Sequence, residues 1–234
     1  MHKLRKTPKK PIVITGFPGF GLVGTIATEF LIEHLKTESI GKIWLEDAPA
    51  IVAVHNQTLV DPIGVFYDEK HNIVIIHGIA AGQGSEWQLA EEIVKIADAF
   101  DAYEVIALEG VGTAQPSINP KIFYFSQHDD KKAKFSALGF EAMNEGIILG
   151  VTSALMVKLD KPLSSLFVES HADMPDSHAA ASLVGALNKL LGLGVDEAPL
   201  IESAKVFERK LKGLLEKSKV AQEQKEKKMM SYVG

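Results

Sequence analysis

Apolar and polar positions along this chain follow two periods, one suited to strands and one to helices. Ile12–Gly16 is a continuous β-branched run, the pattern of a strand covered on both faces. From residue 22 the spacing changes. Leu22, Ile26 and Phe30, with Ala27, Leu31 and Leu35, recur three and four apart and predict a helix over residues 22–36. Residues 40–45 read as a second strand. The runs 63–67 and 73–77 flank the polar stretch 68–72 and predict a hairpin. Ser85 with Gln88 has capping-box spacing, and the helix it opens runs to about residue 100 with Ala90, Ile93, Val94, Ala97 and Phe100 inward.

Residues 103–108 predict another buried strand, ending in Glu109-Gly110-Val111-Gly112. The stretches 122–125 and 147–157 read as extended, and 166–170 is a last apolar run. Asp173, Pro175 and Asp176 open a helix carrying Ala180, Leu183, Val184, Leu187 and Leu191, which Gly192 and Gly194 stop. Asp196, Glu197 and Pro199 open a final helix with Leu200, Ala204, Phe207, Leu211 and Leu214 in register. Strands alternating with helices give an α/β fold with a mostly parallel central sheet. The expected organisation is a basic tail over residues 1–10, one domain over 11–217, and a charged, flexible tail over 218–234.

Composition narrows the classes. The chain has 234 residues, 46% of them hydrophobic, enough to bury a substantial core. It has no cysteine, which excludes disulfides and thiolate metal sites and suits a cytoplasmic protein. No apolar run reaches the roughly 20 residues that cross a bilayer, and Gly16, Pro18 and Gly19 interrupt anything resembling a secretory leader. The net charge of −5 hides an asymmetry: residues 1–10 hold five basic side chains and no acid, and residues 205–234 hold nine basic and four acidic. The body between them carries −15, so it is not a surface built for nucleic acid.

The candidate chemistry begins at Gly16. Gly19, Gly21 and Gly24 stand at G-x-G-x-x-G spacing, with Glu46 and Asp47 at the end of the next predicted strand. That imitates a dinucleotide fingerprint, in which glycines admit a pyrophosphate and an acid binds the ribose. The departures are that Phe17-Pro18 separates strand from triplet, and that Phe17 and Phe20 crowd the turn. The other reading is a tight strand-to-helix crossover with no ligand. Gly82-Gln83-Gly84-Ser85, ahead of a capped helix, is a weak anion candidate. Glu169, Ser170, His171 and Asp173, with Asp176 and His178 beyond, are candidates for general acid–base or hard-metal chemistry, although helix capping explains some of them. No Walker loop, nucleophile elbow or His-Glu-x-x-His pattern occurs. The residues Met230, Tyr232 and Val233 form an apolar, aromatic end to a polar stretch, a pattern suited to docking into a partner's pocket.

Taken together, Gly16-Phe17-Pro18-Gly19-Phe20-Gly21-Leu22-Val23-Gly24, the 78–84 loop, the 109–113 strand end, Glu169-Ser170-His171 and Leu190-Leu191-Gly192-Leu193 resemble the proteasome-assembly-chaperone family typified by proteasome assembly chaperone 2 and its archaeal relatives. The resemblance covers roughly residues 10–217. It implies a three-layer α/β/α sandwich of phosphorylase/hydrolase-like architecture without those enzymes' catalytic residues. It also implies self-association into a homo-oligomer, and partners among proteasome α-subunits or the core particle. Some relatives dock through a C-terminal hydrophobic–Tyr–any tripeptide. Here Tyr232 is third from the end and Ser231 precedes it, so docking would need a relaxed form of that motif. Some members are also labelled as relatives of ATP-grasp enzymes. The expectation is therefore a non-catalytic chaperone or adaptor with no cofactor, metal, nucleic acid or membrane. The alternative is a small-molecule or nucleotide-binding enzyme using the glycine turn with Glu169, His171 and Asp173.

Overall fold

The computed structural model describes residues 2–46, 52–55, 57–80, 84–113, 119–172 and 174–196, with 199 and 202. Eleven strands and five helices are assigned among them: β1 His2–Leu4, β2 Ile12–Gly16, α1 Val23–His34, β3 Glu38–Ile43, β4 Ala53–His55, β5 Thr58–Val60, β6 Ile63–Asp68, β7 Ile73–Gly78, α2 Glu86–Ala99, β8 Glu104–Gly112, β9 Ile122–Ser126, α3 Asp129–Ala137, β10 Glu141–Ala142, α4 Gly150–Lys158, β11 Leu163–Ser170 and α5 Ser177–Leu191. Nine strands form one sheet in the order β1-β3-β6-β7-β2-β8-β11-β9-β10, and β4 and β5 form a separate hairpin.

The apolar run of β2 places it at the sheet's centre, parallel to β7 on one side and β8 on the other. Val13 lies level with Val74 and Val105, and Ile14 with Ile75 and Ile106. Successive side chains on a strand point to opposite faces, so the Ile14 layer packs on one side and the Val13 layer on the other. On the first face α1 and α5 pack through Val23, Ile26, Phe30 and Leu31 against Ala180, Leu183, Val184 and Leu187. On the second, α2 and α4 pack through Leu89, Ile93, Ile96 and Ala97 with Val151, Ala154 and Leu155. This is the three-layer α/β/α arrangement.

The parallel part of the sheet is its centre, β7-β2-β8-β11. Towards one edge, β1, β3 and β6 run antiparallel to their neighbours, because β6 and β7 form the predicted hairpin. Towards the other edge, β9 runs antiparallel to β11.

Four local readings change. Residues 147–157, read as extended, contain helix α4; short runs of β-branched and apolar residues fit either period, and packing on α2 selects the helix. Helix α3 gave no signal, because Phe135 is its one buried residue. The N-terminal basic stretch, read as a tail, contributes strand β1 at the sheet edge. Ser85 does start α2, but its side chain makes no capping bond. The final helix and the 218–234 tail, including Met230, Tyr232 and Val233, lie outside the described residues apart from residues 196, 199 and 202.

Candidate functional site

The predicted glycine turn sits at the carboxyl ends of β2, β8 and β11, where an open α/β sheet usually holds its ligands. Gly16 ends β2, Pro18 and Gly19 lie in the connection, a short 3-10 turn covers Phe20–Leu22, and Gly24 opens α1. Gly21 is left-handed, with φ 61°, and a Cβ there would also lie 2.9 Å from the Ser170 side chain. Leu22 is left-handed as well, at φ 51°, which is strained for a branched side chain.

The turn is filled by the protein's own atoms. A Cβ on Gly16 would meet the Gly24 carbonyl at 2.2 Å, and one on Gly24 the Leu108 carbonyl at 2.6 Å. Phe17 is buried in the core of the second face and its ring lies against Gly78. A dinucleotide cradle needs these glycines to leave space for pyrophosphate. Here they leave space for backbone, which is the crossover reading.

The late acidic cluster divides in the same way. Asp176 is buried, and it caps α5: Ala179 N–H donates to Oδ1 at 2.9 Å, and His171 N–H to Oδ2 at 3.1 Å. The Asp176 N–H donates to the Gly21 carbonyl at 2.8 Å, so one residue ties β11, α5 and the glycine turn together. Glu169 turns away and accepts from Lys121 N–H at 3.1 Å. The His171 side chain is exposed. Asp173 lies outside the described residues. Glu169 and His171 therefore belong to one strand end without forming a shared constellation. Among the described residues, no group of three or more His, Asp or Glu side chains is placed to hold a metal ion.

Two polar groups, the buried His77 and the half-buried Glu109, were not singled out from the sequence as site residues. Glu109, near the end of β8, accepts from the Thr152 hydroxyl at 2.6 Å, and its other oxygen faces Gly19. Burial pushes its carboxyl up to about 7, with the Thr152 hydrogen bond pulling the other way. His77, at the end of β7, lies 2.8 Å from the Thr28 hydroxyl through Nδ1 and 3.1 Å from Glu29 through Nε2. Burial lowers its pKa to about 4, so it is neutral near pH 7. A Thr–His–Glu line suggests a nucleophile, yet Thr28 is fully buried and its hydroxyl also donates to the Gly24 carbonyl at 2.8 Å. No substrate reaches it. The signals for both were visible: an acid ending an apolar run, and a Thr on the buried stripe of a helix.

Among the described residues, several large apolar side chains are exposed near this polar centre. Phe20 is 46% exposed beside Gly112 and Ala172, and Met174 is exposed beyond it. The β4–β5 hairpin, packed on Leu22 and Ile79, presents Val54 and Leu59 outward as a cross-strand pair. Ile147 and Leu149, just before α4, are likewise exposed.

Among the described residues, the ends of β2, β8 and β11 close over their own backbone, and large apolar side chains lie exposed outside them. The model of the PAC2 family matches residues 13–215. The chain belongs to the PAC2 family. Within the structures of that fold, Pyrococcus furiosus PbaA, described as an archaeal homolog of proteasome-assembly chaperone, is 27% identical with a TM-score of 0.84, covering 95% of this chain and 100% of PbaA. Pyrococcus furiosus PbaB, described as an archaeal proteasome activator, has a TM-score of 0.75 over 92% of this chain and 98% of PbaB; at 24% identity it shows the shared fold. An uncharacterized protein from Methanocaldococcus jannaschii is 27% identical over 211 residues, 89% of this chain and 87% of that protein. The PAC2 match spans nearly all of the described structure, so the glycine turn and both helical layers lie inside it.

Proposed function

We propose that this PAC2 protein is a non-catalytic, cytoplasmic assembly chaperone or adaptor that forms a homo-oligomer and binds proteasome α-subunits or the core particle. The observation that carries this reading is the likeness to PbaA over 95% of this chain and all of PbaA. The closed glycine turn supports it, because among the described residues Gly24, Phe17 and Asp176 pack against the turn where this fold usually holds a ligand. The exposed Phe20, Met174, Val54 and Leu59 supply apolar surface for a protein partner. No helix among the described residues is long and apolar enough to cross a membrane. The −15 balance of the body favours encounter with basic partner surfaces, acting on rate and specificity more than on affinity. Met230, Tyr232 and Val233 are proposed as a docking end in a relaxed form of the family tripeptide.

Native mass spectrometry of the full chain, alone and mixed with core particle or free α-subunits, tests the reading. A discrete homo-oligomer that captures either one is expected. An oligomer that ignores both overturns the proposed partners. Removing residues 218–234 is expected to weaken core-particle binding while leaving the melting temperature unchanged. Equal binding by the shortened chain would assign the contact to the folded body and end the tail's role.

A further inference from the structure

A depression of about 220 Å³ lies at the β1 edge of the sheet, lined by Lys3, Arg5, Gly41, Lys42 and Asp61. Its charge arrangement is unfavourable as it stands. Lys3 and Lys42 are directly opposite each other in the β1–β3 register, and like charges so placed repel. Lysines on an edge strand often serve to prevent sheet-to-sheet aggregation. That accounts for Lys3 on β1, but not for Lys42 on β3, which is covered on both sides by β1 and β6.

One acid compensates. Asp61 Oδ1 accepts from Lys42 Nζ at 2.9 Å. Arg5 uses Nη2 on the Ser39 carbonyl and hydroxyl at 2.9 and 3.1 Å, which orients its guanidinium beside the depression. Lys3 has no ion pair among the described residues. His2 and Leu4 point to the other face, His2 to Glu92 and Leu4 into the core of the second layer, so the alternation of β1 sets Lys3 and Arg5 together on this side. A concavity with three cations and one acid, on a body carrying −15, concentrates positive potential where the rest of the molecule is negative.

We propose that this depression binds a small phosphate-class polyanion, of pyrophosphate size, between Lys3, Arg5 and Lys42. Arg5 supplies oriented N–H donors, and the two lysines supply charge that the ligand's oxygens neutralise. The bound anion relieves the Lys3–Lys42 repulsion, so binding also stabilises the β1 edge. The site lies away from the glycine turn and is independent of any proteasome partner.

Isothermal titration of the full chain with sodium pyrophosphate, at fixed ionic strength, tests it. Saturable one-to-one binding is expected. Lys3→Gln or Arg5→Gln is expected to weaken it by about tenfold, the loss of one charge-assisted contact. Asp61→Asn removes the competing acid and is expected to strengthen it. Without anion, Lys3→Gln removes the Lys3–Lys42 repulsion and is expected to melt at or slightly above the parent, whereas Asp61→Asn leaves Lys42 without its ion pair and is expected to melt slightly below it. A nucleoside diphosphate titrated in parallel identifies the recognised group: affinity equal to that of pyrophosphate assigns the site to the phosphates alone. No saturation by about 10 mM pyrophosphate, or binding that the Lys3→Gln/Arg5→Gln double variant leaves intact, overturns the proposal. Binding of the nucleotide without binding of pyrophosphate also overturns it.

Discussion

Gly110 and Gly112 stand two apart on β8, on the same face, and differ in what a single methyl would meet. A Cβ on Gly110 would lie 2.2 Å from the Phe20 carbonyl oxygen and 2.7 Å from Ser170 Oγ. One on Gly112 would lie 3.4 Å from Ala172 and the Phe20 ring, an ordinary contact. Backbone cannot swing aside as a side-chain tip can, so Gly110→Ala has to push the 3-10 turn off the strand. Overpacking of this kind costs about 1–3 kcal/mol, and Gly112→Ala should cost much less. Urea denaturation of the two variants checks this; equal midpoint shifts would refute the packing of the turn on β8. The glycines of 16–24 were legible as a turn, but the sequence left open whether they made room for a ligand or for the chain. That depended on Leu108 and Ser170, residues distant in sequence that only the folded sheet brings to the turn.

At the scale of elements, Asp176 holds more than its own helix. Its carboxylate caps α5 and accepts from His171 N–H, while its backbone N–H reaches Gly21. Capping was predictable from Asp followed by a helical apolar pattern; the link to the glycine turn was not. Asp176→Ala removes two hydrogen bonds to a buried carboxylate and is expected to cost about 1–3 kcal/mol. Asp176→Asn retains one acceptor oxygen and is expected to recover part of that loss. Denaturant midpoints of the pair decide it, and an alanine variant as stable as the parent would remove the cap from the account. Elements with a clear period were legible: β2, α1, the β6–β7 hairpin, α2, β8 and α5. Helix α3 was not, because it buries Phe135 alone. Helix α4 was misread because its Val, Thr and Leu residues satisfy either period until α2 is there to pack on.

For the whole molecule, two shifted titrations oppose each other. His77 is held at about 4 by burial, against about 6.5 in an unfolded chain. Below pH 6.5 the unfolded state takes a proton that the fold refuses, so this group's contribution is lost as pH falls towards 4. Glu109 is raised to about 7 by burial. The fold keeps a proton that the unfolded state releases from about pH 4.5, so stability from this group is greatest in acid and is lost as pH rises towards 7. Each is worth up to about 3 kcal/mol, and between pH 4.5 and 6.5 the two nearly cancel. Glu109→Gln is therefore expected to gain stability relative to the parent between pH 4.5 and 7.5, by about 2–3 kcal/mol. Denaturation at both pH values measures the difference. A difference that does not change with pH would show that Glu109 is ionised in the fold.

By itself the sequence determined the α/β class, the central strand, the hairpin, most helices and the family, because period and glycine spacing are local and survive without a partner. The tertiary structure alone decided that the turn is closed, that β1 joins the sheet, that the flanks run antiparallel, and that Glu169 and His171 do not meet. Each of those rests on contacts between residues far apart in the chain, where a few ångströms of backbone approach separate a filled crossover from a binding site.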